Sequence, residues 1–353
     1  MSVLYAILLF SLIIFLHELG HFIAAKLSRV QVNEFSMFMG PAIWKKQVGD
    51  TLYSVRCIPI GGYCAMEGEN GGSDSPNSFQ KAAWWKRLLI LVAGVAMNFL
   101  TGLALLGIFF GGDKEFILPE VSMIEEGCAI AGENGIQVGD RILEVDGERV
   151  YVYSDFTLLL EMNGGTVHDL LLERGDEKIF LDDFPMEMRE FPNEDGTVSL
   201  RYGFSFSLVE ATLGQKLDYI WASARNIVRM IRLSIQMLFN GQAGLKDLGG
   251  PVMIVQQMSE VAEESSSAYY AFLNLTYFGA FIAINLAVMN LLPIPALDGG
   301  RVVCLLITTF VEAVTRKKID PKYEGYLHGI GMILLLILMA VIMFKDIIVW
   351  VKG

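Results

Sequence analysis

Charge-free apolar runs dominate this chain, and they predict membrane-spanning helices. Three runs contain no Asp, Glu, Lys or Arg over 23, 33 and 20 positions: Leu88–Phe110, Ser265–Leu297 and Gly325–Phe344. A fourth apolar run, Ser2–Leu16, opens the sequence. A helix needs about 20 apolar residues to cross a hydrocarbon core of about 30 Å. The pattern therefore predicts four transmembrane helices.

Two of the connections between these runs have strand patterns. Residues 34–69 are rich in β-forming residues and are interrupted by Gly40-Pro41 and Gly49-Asp50, as in β-hairpins. Residues 135–150, GIQVGDRILEVDGERV, alternate apolar and polar positions around the turn pair Asp146-Gly147. The sequence thus predicts a hairpin loop in the first connection and an inserted β-rich domain in the second. Residues 213–239 after that domain have the pattern of an amphipathic helix.

Charge separates the connections and sets the predicted orientation. Residues 112–264 contain 12 basic and 28 acidic residues, a net charge of −16, whereas the whole chain has −12. The two shorter connections, 28–87 and 301–324, carry seven and five Lys or Arg residues. Basic short loops favour the cytoplasmic side, so both termini and the acidic domain are expected outside. The acidic balance argues against a nucleic-acid partner.

The fold class expected from these patterns is a polytopic α-helical membrane protein with four transmembrane helices, a cytoplasmic-side β-hairpin loop and an inserted extracytoplasmic β-rich domain. Its segments are predicted as follows: transmembrane helix 1–27, cytoplasmic-side loop with a membrane-associated hairpin 28–87, transmembrane helix 88–111, β-rich domain 112–209, extracytoplasmic amphipathic helices 210–264, third transmembrane segment 265–301, cytoplasmic loop 302–324 and transmembrane helix 325–350.

The first apolar run continues into FLHELGHF, which places His17, Glu18 and His21 inside the predicted membrane helix. Residues four apart share a helix face, so both imidazoles can bind one ion. This is H-E-x-x-H, two zinc ligands with an adjacent general base for hydrolysis. His17 lies about 21 Å along a helix that begins near Val3, which is nearer the predicted cytoplasmic side. Ionisable groups at that depth are costly and indicate function.

A catalytic zinc site needs a third protein ligand. Asp298, in NLLPIPALDGGR, ends the third apolar run at matching depth, after two prolines that break the helix. It could instead be a solvated carboxylate in an interfacial turn. Two other histidines are weaker candidates: His168 is expected at the surface of the acidic domain, and His328 at the membrane interface.

HELGH in a first span and NLLPIPALDGGR in a third resemble the site-2 protease family of intramembrane zinc metalloproteases (peptidase M50 type), especially the bacterial regulator-of-sigma-E protease group. The resemblance covers nearly the whole chain. It implies His17, His21 and Asp298 as zinc ligands and Glu18 as the catalytic base. It also implies that Asn290 lies beside the site and helps to hold the substrate backbone.

The same resemblance implies functions for the inserted segments. In the hairpin stretch IPIGGYCAM, Gly61 and Gly62 are candidate substrate-binding residues. The family pattern here is I-P-x-G-G-Y-V-K-M, and this chain has Ala65 in place of its lysine. A role of that lysine in the family therefore does not carry over to this chain. Its strand edge could pair with an unwound substrate, or the segment could simply cap the helices. GDRILEVDG resembles the core of one PDZ domain, which could recognise or gate substrates or act as a spacer.

The expected function is zinc-dependent hydrolysis of peptide bonds within transmembrane segments of single-span proteins, of the anti-sigma factor or remnant signal peptide type. The expected location is the bacterial inner membrane, with the active site toward the cytoplasm. One alternative is a PDZ-bearing membrane adaptor with a structural zinc, but such a site has no use for Glu18. A metal transporter would show ligands along a path or repeated halves, and the sequence shows one compact set.

Overall fold

The computed structural model describes residues 2–69, 73–193, 197–244, 249–317 and 322–352. The chain forms two compact units, Met1–Phe109 with Met230–Gly353, and Phe110–Arg229. Within the described residues, four helices are long and apolar enough to cross a membrane, and they coincide with the four predicted apolar segments: Ala6–Leu27, Trp84–Phe110, Ala268–Asn290 and Lys322–Val349.

The helices of the described ranges are, in chain order, α1 Ser2–Leu27, α2 Trp84–Phe110, α3 Tyr153–Asn163, α4 Leu213–Phe239, α5 Pro251–Glu263, α6 Ala268–Asn290, α7 Asp298–Thr315 and α8 Lys322–Lys352. The strands are β1 Val32–Val48, β2 Thr51–Met66, β3 Glu115–Ile124, β4 Arg141–Val145, β5 Glu148–Arg149, β6 Val167–Arg174, β7 Glu177–Pro185, β8 Arg189–Pro192, β9 Val198–Arg201 and β10 Phe204–Glu210.

Helix α1 is the centre of the first unit because other elements cover it on several sides. Its N-terminal half packs against α5 and α6 in one apolar cluster, and its C-terminal half packs against the β1–β2 hairpin in another. Against α2 the approach is especially close: a Cβ atom built on Gly20 would lie 2.4 Å from the carbonyl oxygen of Ala93. Small residues permit such contacts between membrane helices.

The β1–β2 hairpin folds back on itself, so that one segment of β1 pairs twice. Phe35 is the antiparallel partner of both Tyr53 and Cys64. Strand β2 must therefore bend between Tyr53 and Cys64, and Pro59 lies in this interval. The Ser11 hydroxyl of α1 donates a hydrogen bond of 2.8 Å to the Pro59 carbonyl. This bond holds the bend beside the membrane helix, six residues before His17.

The second unit is built on an antiparallel sheet with strand order β10-β3-β4-β6-β7, to which β5 is added beside β4. The turn between β4 and β5 has positive φ at both central residues, 50° at Asp146 and 78° at Gly147. Two consecutive positive φ values define the hairpin turn that suits strand twist, so the Asp-Gly pair correctly predicted this hairpin. Phe156 of α3 and Leu170 of β6 are buried in the core of this unit.

The third predicted membrane segment, 265–301, is two helices joined by a turn. Helix α6 ends at Asn290, and α7 begins at Asp298. Pro293 and Pro295 lack the N–H groups that would continue α6. The predicted loop 302–324 also differs from the structure over its first part, because α7 continues through Thr315. The apolar residues of α7 recur at helical spacing. This pattern favours a helix that lies on the membrane surface or packs against neighbouring helices.

Candidate metal centre

The two histidines of α1 face the same point because they lie one helical turn apart. Their Nε2 atoms are 3.2 Å from each other. Both side chains are buried, with 8% of His17 and 7% of His21 exposed. The His21 Nδ1 atom lies 2.8 Å from the carbonyl oxygen of Ile90 on α2. A carbonyl oxygen can only accept a hydrogen bond, so the Nδ1–H group is the donor and the Nε2 lone pair of the neutral ring points toward the site.

Asp298 reaches the same point from the first turn of α7. Its Oδ2 atom lies 3.2 Å from Nε2 of His17 and 3.4 Å from Nε2 of His21. The start of α7 is pressed against the preceding turn, since a Cβ on Gly299 would lie 2.2 Å from the Leu291 carbonyl oxygen and one on Gly300 2.3 Å from that of Ile294. Only glycine fits at these two positions. This close packing fixes the position of the Asp298 carboxylate relative to the preceding turn.

The three atoms fit a zinc ion by distance and by chemistry. Donor atoms bonded at about 2.0–2.1 Å to a tetrahedral ion lie about 3.3 Å apart, and the observed separations are 3.2, 3.2 and 3.4 Å. A neutral His21 ring directs its Nε2 lone pair at a carboxylate oxygen, and a cation bound by both atoms removes that repulsion. Among the described residues, these three form the one group of His, Cys, Asp or Glu side chains close enough to share a metal.

Gly94 of α2 makes room for the two imidazoles. A Cβ at this position would lie 2.3 Å from Nε2 of His21 and 2.7 Å from Cε1 of His17. The sequence analysis did not identify Gly94. A lone glycine inside an apolar helix is a weak signal of close packing, but the partner that it contacts is a tertiary feature.

Glu18 lies beside the metal-binding group and against the second half of β2. The backbone amide of Cys64 interacts with its carboxylate, and a Cβ on Gly62 would lie 3.6 Å from its Cγ. Burial raises the pKa of the neighbouring Cys64 thiol, which keeps that thiol neutral. The carboxylate thus faces a strand rather than another helix.

The other predicted contact residues lie on α6 and on β2. Asn290 is the last residue of α6 and is half-buried. Gly61 has a φ of 76°, and a Cβ there would lie 3.0 Å from the Met39 side chain. Gly62 would place a Cβ 2.9 Å from the Ser36 carbonyl oxygen. The positive φ thus favours glycine at position 61, and the close approach of β1 favours glycine at position 62.

The two remaining histidines are not part of the centre. His168 is buried, with 3% exposed, and its Nδ1 lies 2.8 Å from Oδ2 of Asp146. The prediction of a surface histidine was wrong, because His168 faces the core on the same side of β6 as Leu170 and Leu172. His328 of α8 contacts the turn before α7, where Ala296 N–H donates a 3.1 Å hydrogen bond to its Nδ1.

Membrane-length helices and a buried group of two histidines and one aspartate, with a glutamate beside it, define a membrane-embedded metallohydrolase. The sequence profile of peptidase family M50 matches residues 5–338, and the chain belongs to that family. A zinc metalloprotease by name from Clostridium perfringens is 35% identical over 352 residues, 99% of each chain. One from Fusobacterium nucleatum is 32% identical over 98% of each chain. The regulator of sigma-W protease RasP of Bacillus subtilis is 26% identical over 98% of each chain.

These similarities settle the general class that the sequence analysis expected. The protein is a membrane metalloprotease of the site-2 protease family, and its cofactor is zinc. The relatives also extend over nearly the whole length of this chain, so the similarity includes the β-rich unit as well as the membrane helices.

Proposed function

We propose that this metalloprotease hydrolyses peptide bonds within the transmembrane segments of single-span membrane proteins, with zinc held by His17, His21 and Asp298. The observation that carries the proposal is the convergence of three donor atoms within 3.4 Å of one another. Two of them belong to a helix that is long and apolar enough to cross a membrane. A site at this depth reaches peptide bonds that soluble proteases cannot reach.

In the proposed mechanism Glu18 is the general base. Zinc bound by the three side chains supplies Lewis acidity, which lowers the pKa of water and polarises a carbonyl group. Glu18 removes a proton from the attacking water and later returns it to the leaving amine. The contact with the Cys64 amide orients the carboxylate between the strand and the metal ligands, so that one residue serves both proton transfers.

The substrate backbone is proposed to bind along the second half of β2. This segment, from Gly62 to Met66, pairs with Met37 to Val32 of β1 on one side, and its other edge has no strand partner among the described residues. A helix must unwind before its peptide bonds can be cut, and pairing with a strand edge compensates the lost hydrogen bonds. Asn290, at the end of α6, is proposed to hold the substrate backbone on the other side.

The proposed orientation follows from the loop charges. Residues 28–87 and 301–324 carry most of the basic residues of the membrane unit, which favours the cytoplasmic side for both. The termini and residues 112–209, proposed to form a PDZ domain, then lie outside the bacterial cell membrane. The name of the B. subtilis relative, regulator of sigma-W protease, supports an anti-sigma factor type of substrate. Remnant signal peptides are the other proposed class.

The PDZ domain is proposed to exclude substrates that still carry a bulky outer domain. Deletion of residues 112–209 should then permit cleavage of a full-length substrate that the intact enzyme leaves uncut, while a substrate already trimmed outside is cut by both. Equal selectivity with and without the domain would contradict the size-exclusion role.

The central test is cleavage of a single-span substrate in proteoliposomes by the wild-type protein and by Glu18→Gln. The amide cannot accept the proton, so turnover should fall by roughly 10²–10⁴-fold. Zinc content should stay unchanged, because Glu18 is not one of the three ligands. A matched control is Asp50→Asn, which changes an exposed carboxylate in the turn between β1 and β2 and should cut normally. Equal turnover by wild type and Glu18→Gln would refute the mechanism.

A further inference from the structure

The turn between α6 and α7 carries Asp298 and contains a backbone conformation that needs support. Ala296 has a φ of 86°, a region that residues with a side chain rarely adopt. Such a residue persists only where neighbouring structure holds it. Asp298 follows two positions later, so the direction of its carboxylate depends on how this turn is held.

The hydrogen bonds of the turn identify what holds it. Between Pro293 and Leu297 only three residues have an N–H group, because two positions are prolines. The Ile294 N–H bonds to the Leu292 carbonyl, and the Leu297 N–H bonds to that of Ile294. The third N–H group, that of Ala296, donates instead to Nδ1 of His328, 3.1 Å away and 32 residues further along the chain.

Helix α8 contacts the turn at a second point on the same face. A Cβ built on Gly331 would lie 2.5 Å from the Cβ of Pro295 and 2.6 Å from its carbonyl oxygen. Positions 328 and 331 are three residues apart and therefore neighbours on the helix surface. Gly331 allows the backbone of α8 to reach Pro295. This approach puts the His328 ring within hydrogen-bonding distance of the Ala296 amide.

From these contacts we infer that His328 is a positioning residue, which holds the Pro295–Ala296 turn so that Asp298 faces the two histidines of α1. The inference rests on the proposed role of Asp298 as a zinc ligand. His328 itself is not a ligand, since its Nδ1 accepts from a backbone amide and its Nε2 faces Glu324 Oε1 at 3.9 Å. Its effect on the metal passes through the backbone of the turn.

The expected effect of losing this hydrogen bond is a weaker metal site. Groups that orient metal ligands contribute about 10–100-fold to metal affinity or activity. His328→Leu removes the acceptor while keeping an apolar side chain of similar width, and zinc affinity should fall roughly 10-fold. A displaced Asp298 should lower kcat and leave KM nearly unchanged, because the substrate is proposed to bind along β2.

The test measures zinc dissociation constants by chelator competition on the full-length protein in detergent, together with kcat and KM. His328→Asn should retain near wild-type affinity, because its Oδ1 occupies about the position of Nδ1. Tyr326→Leu, an exposed neighbour on the same helix, is the matched control and should bind zinc normally. Thermal melting confirms that each variant is folded.

Equal zinc affinity in His328→Leu and the wild type would overturn the inference, and so would an Asn variant as weak as the Leu variant. Should the Leu variant not fold, His328→Asn and His328→Gln decide, since the longer side chain misplaces its oxygen; equal affinities of these two would overturn it. Asp298→Ala separates the two levels. If Asp298→Ala keeps its zinc, the proposed metal centre itself is refuted. If Asp298→Ala loses its zinc while His328→Leu binds zinc as tightly as the wild type, only the role of His328 is refuted.

Discussion

Replacement of Gly94 by alanine should disable the metal centre without unfolding the protein. The added Cβ would lie 2.3 Å from Nε2 of His21, whereas unstrained contacts need about 3.5 Å. The ring must therefore move by about 1 Å, but metal–ligand distances tolerate about 0.2 Å. A misplacement of about 1 Å can cost about 100-fold in rate, which corresponds to roughly 2.7 kcal/mol. Alanine is the better helix former by roughly 1 kcal/mol, so helix propensity does not oppose the substitution.

The assay combines zinc affinity by chelator competition with cleavage of a single-span substrate in proteoliposomes. Two glycine-to-alanine variants serve as matched controls. At Gly329 of α8 the new Cβ meets open space, and at Gly102 of α2 it meets the Ile284 side chain at 2.4 Å. The first should resemble the wild type, and the second should lower thermal stability more than zinc affinity. Wild-type zinc affinity and turnover in Gly94→Ala would refute the reasoning from this contact.

Three other changes test separate parts of the molecule. Chelation should stop cleavage and added zinc should restore it; activity that survives complete metal removal would contradict a zinc enzyme. Hydrogen bonds from Arg201 hold the pKa of Glu125 below its usual value of 4.5. The pair therefore stabilises the fold fully at pH values above 4.5, and this stabilisation is lost as the pH falls through the lowered pKa of Glu125 in the folded protein. Glu125→Gln should therefore melt lower at pH 7 and lose less stability on acidification, and an unchanged melting profile would contradict this. In the wild type the buried guanidinium of Arg229 lies 3.1 Å from the Asp155 carboxylate. Asp155→Ala removes this charge partner and should lower the free energy of unfolding by roughly 3 kcal/mol. A loss under about 1 kcal/mol in chemical denaturation would contradict this expectation.

The sequence predicted those features that depend on local spacing. Two histidines four residues apart must share a helix face, and Asp298 after two prolines must begin a new segment. Gly94 and His328 could not be assigned in this way, because their roles depend on which faces of apolar helices meet. Helices that are apolar all round give no periodic signal of their packing direction. His168 is different, because it lies two and four residues before Leu170 and Leu172 in the sequence. Strand alternation puts these three residues on the same face of β6 and would have predicted that His168 is buried.

Charge balance explains why a membrane helix can contain HELGH at all. In the proposed centre two neutral imidazoles add no charge, and a divalent cation would balance the carboxylates of Asp298 and Glu18, so that the assembled centre would be neutral as a whole. Ionised groups in hydrocarbon persist when they pair with one another or coordinate metals. Without the cation, two carboxylates would remain near one another in a medium that screens them poorly. A bound cation at the proposed centre should therefore add to the stability of the membrane unit, and chelation should lower its melting temperature as well as its activity.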